Sequence, residues 1–267
     1  MQIHAIKAFD DNYIWTLVNG DQAIVIDAGD ATPVLKFLQV NQLTLVALLI
    51  THHHHDHSGG ASELLAAYPK AQLIAHQAHG VAQTVSVDEG DVLNFEGFGE
   101  FQVWRTAGHT DTHLSYVAKF ADDVRQHVFC GDALFSGGCG RVFTGTLDEL
   151  HASLRRLASL PDDTLFYPAH EYTLGNLRFG LAFAEQPQDI QAAITRTQDS
   201  LAKGVPSLPT SLKNERKINV FLQACQDDVS ADLAQKVAER ANKAGLKMAD
   251  LSSLSVFSAL RELKNKA

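Results

Sequence analysis

Thr51-His52-His53-His54-His55-Asp56-His57-Ser58-Gly59-Gly60 is the stretch that decides how this chain is read. It follows residues 43–50, a near-continuous apolar run of the kind expected of a strand buried on both faces. The histidines therefore occupy the loop at that strand's exit. Neutral imidazole nitrogens and carboxylate oxygens are both good ligands for Zn²⁺ and its transition-metal neighbours. On a tight loop His52 and His54, two apart, can point the same way, while Asp56 and His57 continue around the turn towards a second centre. Gly59-Gly60 lets the backbone pass close beneath and enter a helix. An internal position directly after a buried strand argues against an expression tag, while a polar loop with loose metal affinity stays open until the later motifs are read.

Three later strand exits carry the same ligand types. Thr106-Ala107-Gly108-His109-Thr110 puts a histidine in a glycine turn, Phe129-Cys130-Gly131-Asp132 ends on a carboxylate, and Tyr167-Pro168-Ala169-His170-Glu171 offers another histidine. Two ligand sets sharing one carboxylate make a two-metal site with ions about 3.5–4 Å apart.

Around these motifs the first part of the chain alternates short β-rich runs with helical stretches. Residues 14–18 and 23–26 read as a hairpin about Asn19-Gly20. A helix is expected over 33–39 and another over 62–68, with further strands at 72–75, 100–106, 114–119, 124–129 and 164–167. Such a mixture suggests an α/β sandwich of two sheets with outer helices. From Leu174 the strand signal fades, and 175–184, 188–202, 214–224, 231–243 and 255–264 all fit helices. The reading is an α/β domain over 1–172 and a smaller all-α domain over 173–267.

Composition narrows the function classes. With 45% hydrophobic and 20% charged residues, the 267-residue chain has a globular profile. Its 22 Lys and Arg against 31 Asp and Glu give a net charge of −9, which argues against generic nucleic-acid binding. No apolar run reaches the roughly 20 residues of a membrane span, and the N-terminus shows no signal-peptide pattern. Cys130, Cys139 and Cys225 are scattered and odd in number, which suits a reducing compartment. A cytoplasmic monomer with a small-molecule substrate, and with neither nucleic acid nor membrane as partner, is expected.

The series His52-x-His54-x-Asp56-His57, His109, Asp132, His170 resembles the metallo-β-lactamase superfamily in its dinuclear hydrolase form. The resemblance implies an αβ/βα sandwich. It also implies that His52, His54 and His109 hold one metal, Asp56, His57 and His170 the other, and that Asp132 bridges them. Two divalent ions per chain follow, zinc foremost, with iron or manganese as alternatives. His53 and His55 are expected to face scaffold or solvent, and His113 to support the His109 loop.

Over its full length the chain is similar to one group within that superfamily, the glyoxalase II family. The likeness runs from Asp11-Asn12-Tyr13-Ile14-Trp15 through Gly131-Asp132-Ala133-Leu134-Phe135, Gly138-Cys139-Gly140-Arg141 and Gly145-Thr146. It continues in Pro168-Ala169-His170-Glu171-Tyr172-Thr173, Lys213-Asn214-Glu215-Arg216 and Leu260-Arg261-Glu262-Leu263-Lys264. What it implies is a metal-dependent thioesterase acting on S-(2-hydroxyacyl)glutathione, chiefly S-D-lactoylglutathione, and yielding glutathione and D-lactate in methylglyoxal detoxification. Asp56 and Asp132 would serve the metal-bridging hydroxide, with no serine or cysteine nucleophile. Arg141 matches a position that is often lysine, Tyr172 a glutathione-contacting tyrosine, and Arg261 with Lys264 a carboxylate grip. Phe143 departs from the pattern, since tyrosine is common there. The rival readings are a glutathione persulfide dioxygenase with a single iron, which lacks the long helical tail, and another hydrolase of the same fold.

Overall fold

Asn19 and Gln22 pair across a two-residue turn in which Gly20 has φ +60°, closing strands Asn12–Asn19 and Gln22–Ile26 into the expected hairpin. The computed structural model describes all 267 residues, and the chain divides into two units. One comprises Met1–Thr106, Thr112–Gly131 and Leu165–Glu171; the other comprises Ala107–Asp111, Asp132–Thr164 and Tyr172–Ala267.

In the first unit six strands lie side by side in chain order: Gln2–Ala8, Asn12–Asn19, Gln22–Ile26, Thr44–Leu49, Gln72–Ala75 and Val85–Ser86. The first three are antiparallel and the rest run parallel. Parallel neighbours need crossovers, and helices Ala31–Val40 and Ala61–Ala67 lie on them. Asp30 caps the first of these by accepting from the Thr32 N–H. Val34, Leu38 and Leu64 from the helices pack with Ile14, Val25, Leu48 and Leu73 of the sheet. Strand Thr44–Leu49 is buried on both faces, as its apolar run requires: Leu45, Ala47, Leu48 and Leu49 are all 2% exposed or less.

A second sheet orders Leu165–Pro168, Asp123–Gly131, Leu114–Phe120, Gly99–Arg105 and Val92–Phe95, parallel between the first two and antiparallel thereafter. Four bonds stitch it to the first sheet: Tyr116 Oη to Ile50 O, Leu114 N to Thr51 O, Tyr13 N to Ala169 O, and Trp15 Nε1 to Pro168 O. These anchors sit at strand exits that carry candidate ligands.

The second unit holds a short hairpin (Leu134–Phe135 with Gly138–Cys139) and helices Leu147–Ala158, Thr173–Gly180, Pro187–Ala202, Leu212–Ile218, Val220–Ala224, Ala231–Lys243 and Ser253–Asn265. The helix expected over 214–224 is two helices. Asn219 breaks it, its side-chain oxygen accepting from the N–H groups of Phe221 and Leu222 and so starting a new helix. Helix Leu147–Ala158 was not among the expected elements, although Thr146 and Glu149 form a reciprocal capping box at its start.

Candidate metal centre and substrate site

The ligand loop is held from beneath by Asp27, at the exit of strand Gln22–Ile26. Its Oδ1 accepts from Thr51 N at 2.8 Å, and its Oδ2 accepts from Thr51 Oγ1 at 2.7 Å and from His57 Nδ1 at 3.0 Å. Because the Thr51 hydroxyl proton goes to Asp27, the His52 Nδ1 contact with Thr51 Oγ1 at 3.0 Å must have His52 as donor. The same logic recurs at two further candidate ligands. His170 Nδ1 donates to Asp11 Oδ1 at 2.8 Å, and in the second unit His109 Nδ1 donates to the Arg141 carbonyl at 2.7 Å. With one ring nitrogen of His52, His57, His109 and His170 committed as donor, the other keeps its lone pair for a cation.

Within the first unit, the second nitrogens of His57 and His170 face each other and a carboxylate. His57 Nε2 lies 3.4 Å from both Asp56 Oδ2 and His170 Nε2, and His170 Nε2 lies 3.3 Å from Asp56 Oδ2. Asp56, His57 and His170 thus bring three donor atoms within 4.8 Å of one another. His52 Nε2 stands 3.0 Å from His54 Nδ1. Within the second unit His109 Nε2 lies 3.4 Å from Asp132 Oδ2. Opposed imidazole lone pairs at such distances repel unless a proton or a metal ion lies between them, so the donor set fits a divalent cation. Asn12 Nδ2 donates to Asp56 Oδ2 at 3.1 Å. Burial raises the Asp56 carboxyl, but the His170 and His57 rings and the Asn12 amide outweigh it and hold the group well below the usual carboxylate range.

Two glycines make the turns possible. Gly131, before Asp132, has φ +47°, and a Cβ there would come within 2.5 Å of Thr51 Oγ1. Gly108, before His109, has φ +137°, and a Cβ would meet the Leu150 backbone nitrogen at 2.5 Å. His53 and His55 join none of the ligand groups, the latter exposed, in keeping with the expectation for them. His113 stacks on His52 with ring centroids 5.0 Å apart and shares a 2.9 Å bond with Thr106 Oγ1. The sequence reading gave Asp27, Asp11 and Asn12 no site role, although Asp11-Asn12 opens the stretch that carries the family likeness. Their only signal in the sequence was an acidic or amide residue at a strand edge.

The five expected substrate residues all fall in the second unit. Arg141 is exposed, and its Nε donates to Asn265 Oδ1 at 3.2 Å. Arg261 is only 6% exposed: its Nη1 donates to Cys139 O at 2.9 Å, with the guanidinium 5.3 Å from the Phe221 ring centre. Lys264 Nζ donates to Gly175 O at 3.1 Å and sits 4.9 Å above Phe179; burial, then Arg261, pulls its pKa down. Phe143 is exposed, with its ring edge-on to His109 at 5.2 Å, and Tyr172 packs edge-on to Phe135 at 5.0 Å.

Comparison with known proteins places this arrangement. Residues 9–170 match the family model of the metallo-β-lactamase superfamily, and residues 171–267 match that of the hydroxyacylglutathione hydrolase C-terminus. The hydroxyacylglutathione hydrolase of Neisseria meningitidis serogroup A is 43% identical over 265 residues, 99% of both chains. The chain belongs to the hydroxyacylglutathione hydrolase family. Its counterpart in Vibrio parahaemolyticus is 41% identical, with 100% of this chain and 99% of that protein covered. Among solved structures, ETHE1 from Myxococcus xanthus superposes with a TM-score of 0.62 at 25% identity, covering 99% of this chain and all of that one. The BLEG-1 B3 metallo-β-lactamase gives 0.63 at 20% identity, covering 83% of this chain and 99% of the other, a likeness of fold. The metallo-β-lactamase fold followed by a helical C-terminal part, expected from the sequence, is the fold of this family.

Proposed function

We propose that this chain hydrolyses the thioester of S-(2-hydroxyacyl)glutathione, chiefly S-D-lactoylglutathione, to glutathione and D-lactate. One observation carries the reading of the substrate. In a chain of net charge −9, the terminal helix sets Arg261 against Cys139 and Asn265 against Arg141, which gathers Arg141, Arg261 and Lys264 on neighbouring ground. Glutathione brings carboxylates, and such cations recognise them.

His52, His54 and His109 would hold one divalent ion and Asp56, His57 and His170 the other, with Asp132 shared between them; zinc suits this donor set, and iron or manganese would also be accepted. Bound there, the ions supply Lewis acidity, bringing the pKa of water towards about 7 and polarising the thioester carbonyl. The chain's own groups do the rest. Asp27, Asp11 and the Arg141 carbonyl keep the imidazole tautomers fixed with their lone pairs inward. Asn12, His57 and His170 gather about Asp56 Oδ2, so Oδ1 is the oxygen left to orient the attacking water and help pass on its proton, the carboxyl being too acidic to keep it. Collapse of the tetrahedral adduct breaks the C–S bond and releases glutathione thiolate. Tyr172 offers the substrate a hydroxyl, whereas Phe143 offers none, so the thiolate finds one fewer donor.

The helical part over 173–267 is the proposed substrate-binding part. The full-length relatives and the C-terminal family match favour this hydrolase over a persulfide dioxygenase. No helix is long and apolar enough to cross a membrane, in keeping with a proposed cytoplasmic site of action.

Hydrolysis of S-D-lactoylglutathione by metal-replete and chelator-stripped protein tests the reading. Fast, metal-dependent thiol release is expected. Absence of turnover with two ions bound would reject the glutathione substrate while leaving the fold untouched.

A further inference from the structure

The helical unit contains a cavity of about 340 Å³ that the chemistry above does not use. Helix Pro187–Ala202 lines it with Arg196, Thr197 and Ser200, which share one helical face. Ser136, Thr173 and Ser207 are among the residues that complete the wall, and no acidic side chain lines it. Glu215 lies behind that wall with its carboxylate turned away: Oε1 accepts from Ser136 Oγ at 2.8 Å and Thr210 Oγ1 at 2.7 Å, and Oε2 accepts from Gly137 N at 2.8 Å and Asn219 Nδ2 at 3.0 Å. Since the Ser136 proton points to Glu215, its oxygen lone pairs remain for an occupant.

Two donors are uncommitted. Thr197 is 5% exposed, and its hydroxyl has no hydrogen-bond partner in the chain. Arg196 makes one long contact, Nη2 to Asn214 Oδ1 at 3.5 Å, which leaves most of its guanidinium fork open. An unpaired hydroxyl that lines the cavity is free to donate to whatever fills it.

The lining selects its ligand. The many hydroxyls of the lining disfavour an apolar molecule, and the lack of any carboxylate disfavours a cation. A single guanidinium matches one oxyanion, and the volume, at the small end of ligand pockets, matches a compact one. We infer that this cavity binds a small polyhydroxylated oxyanion, with the anionic group on Arg196 and hydroxyls on Thr197 and Ser136. Ser136 stands four residues after Asp132 and five before Arg141, so the occupant borders the segment that carries both.

Calorimetric titration of the metal-replete protein tests this with glycerol 3-phosphate and D-glycerate as probes and glycerol as the neutral control. Saturable binding of at least one anion is expected, with none for glycerol. The affinity should fall about tenfold or more in Arg196→Ala and severalfold in Thr197→Val, with thioester hydrolysis unchanged in both. Thr197→Val should keep the melting temperature, because the hydroxyl it removes has no partner. Whichever anion binds identifies the group as phosphate ester or carboxylate. Saturation by neither probe would overturn the inference. So would equal affinity in Arg196→Ala, which would locate the anion at the metal centre.

Discussion

Replacing Asp27 with asparagine isolates what the buried carboxylate does for the ligand loop. Asparagine has nearly the same shape and tolerates the φ of +56° at this position, so backbone strain is not the variable. The carboxylate accepts three bonds, from Thr51 N, Thr51 Oγ1 and His57 Nδ1, at 2.7–3.0 Å. An amide has one oxygen to serve them. With that oxygen on the Oδ2 side, His57 keeps its partner, but the amide NH₂ then opposes the Thr51 N–H, at a cost of about 1–3 kcal/mol. With the oxygen on the Oδ1 side, the NH₂ faces His57 Nδ1. That nitrogen must then become the acceptor, and the ring proton moves to Nε2, the atom 3.4 Å from Asp56 Oδ2. His57 would lose its metal-binding lone pair, and affinity should fall about 10- to 100-fold. Calorimetry on the apo protein and chelator competition on the loaded protein separate the two outcomes. The stability loss would lower the melting temperature by about 2–4 °C per kcal/mol in a chain of this size. An Asp27→Asn variant with wild-type melting temperature and wild-type metal affinity would refute the tautomer argument.

Asp132→Ala should lose both metal occupancy and turnover; an active, metal-poor variant would sink the dinuclear scheme. Lys264→Ala should chiefly raise KM for the glutathione thioester, while Arg261→Ala should also lower the melting temperature, because the guanidinium is buried on Cys139 O; steady-state kinetics and a thermal melt distinguish them. Glu215→Ala should cost about 3–5 kcal/mol in denaturant unfolding, since it strands the Gly137 N–H and opens a cavity. Glu215→Gln should cost about 1–2 kcal/mol, because the Ser136 and Thr210 hydroxyls can rotate to accept from the new amide. Burial pushes the Glu215 carboxyl above its usual 4.5, so the folded state holds its proton more tightly than the unfolded one. The stability of wild type relative to Glu215→Gln should therefore increase as pH falls towards 4.5, and a difference that shrinks on acidification would contradict this.

Strand Thr44–Leu49, the hairpin at Gly20 and helix Ala231–Lys243 were legible because each is specified locally, by an apolar run, a turn pair or a 3.6-residue period. The seven candidate ligands stood out for a related reason: histidine and aspartate beside glycine at strand exits have few structural uses. Local signals failed where the partner is distant in sequence. Asn219 ends one helix and starts the next because its amide also donates to Phe135 O and Gly138 O, more than 80 positions earlier. Arg261, read with Lys264 as a carboxylate grip on the terminal helix, is also buried against a carbonyl 122 residues away.

The amino-acid sequence by itself determined the class of the fold and the identity of the candidate ligands, because periodicity and ligand chemistry are written residue by residue. Tertiary structure decided which nitrogen of each imidazole carries the proton. That depends on Asp27 meeting His57 across 30 residues and Asp11 meeting His170 across 159. A hydrogen bond has a direction and a reach of about 3 Å, and only the folded chain brings those groups within it.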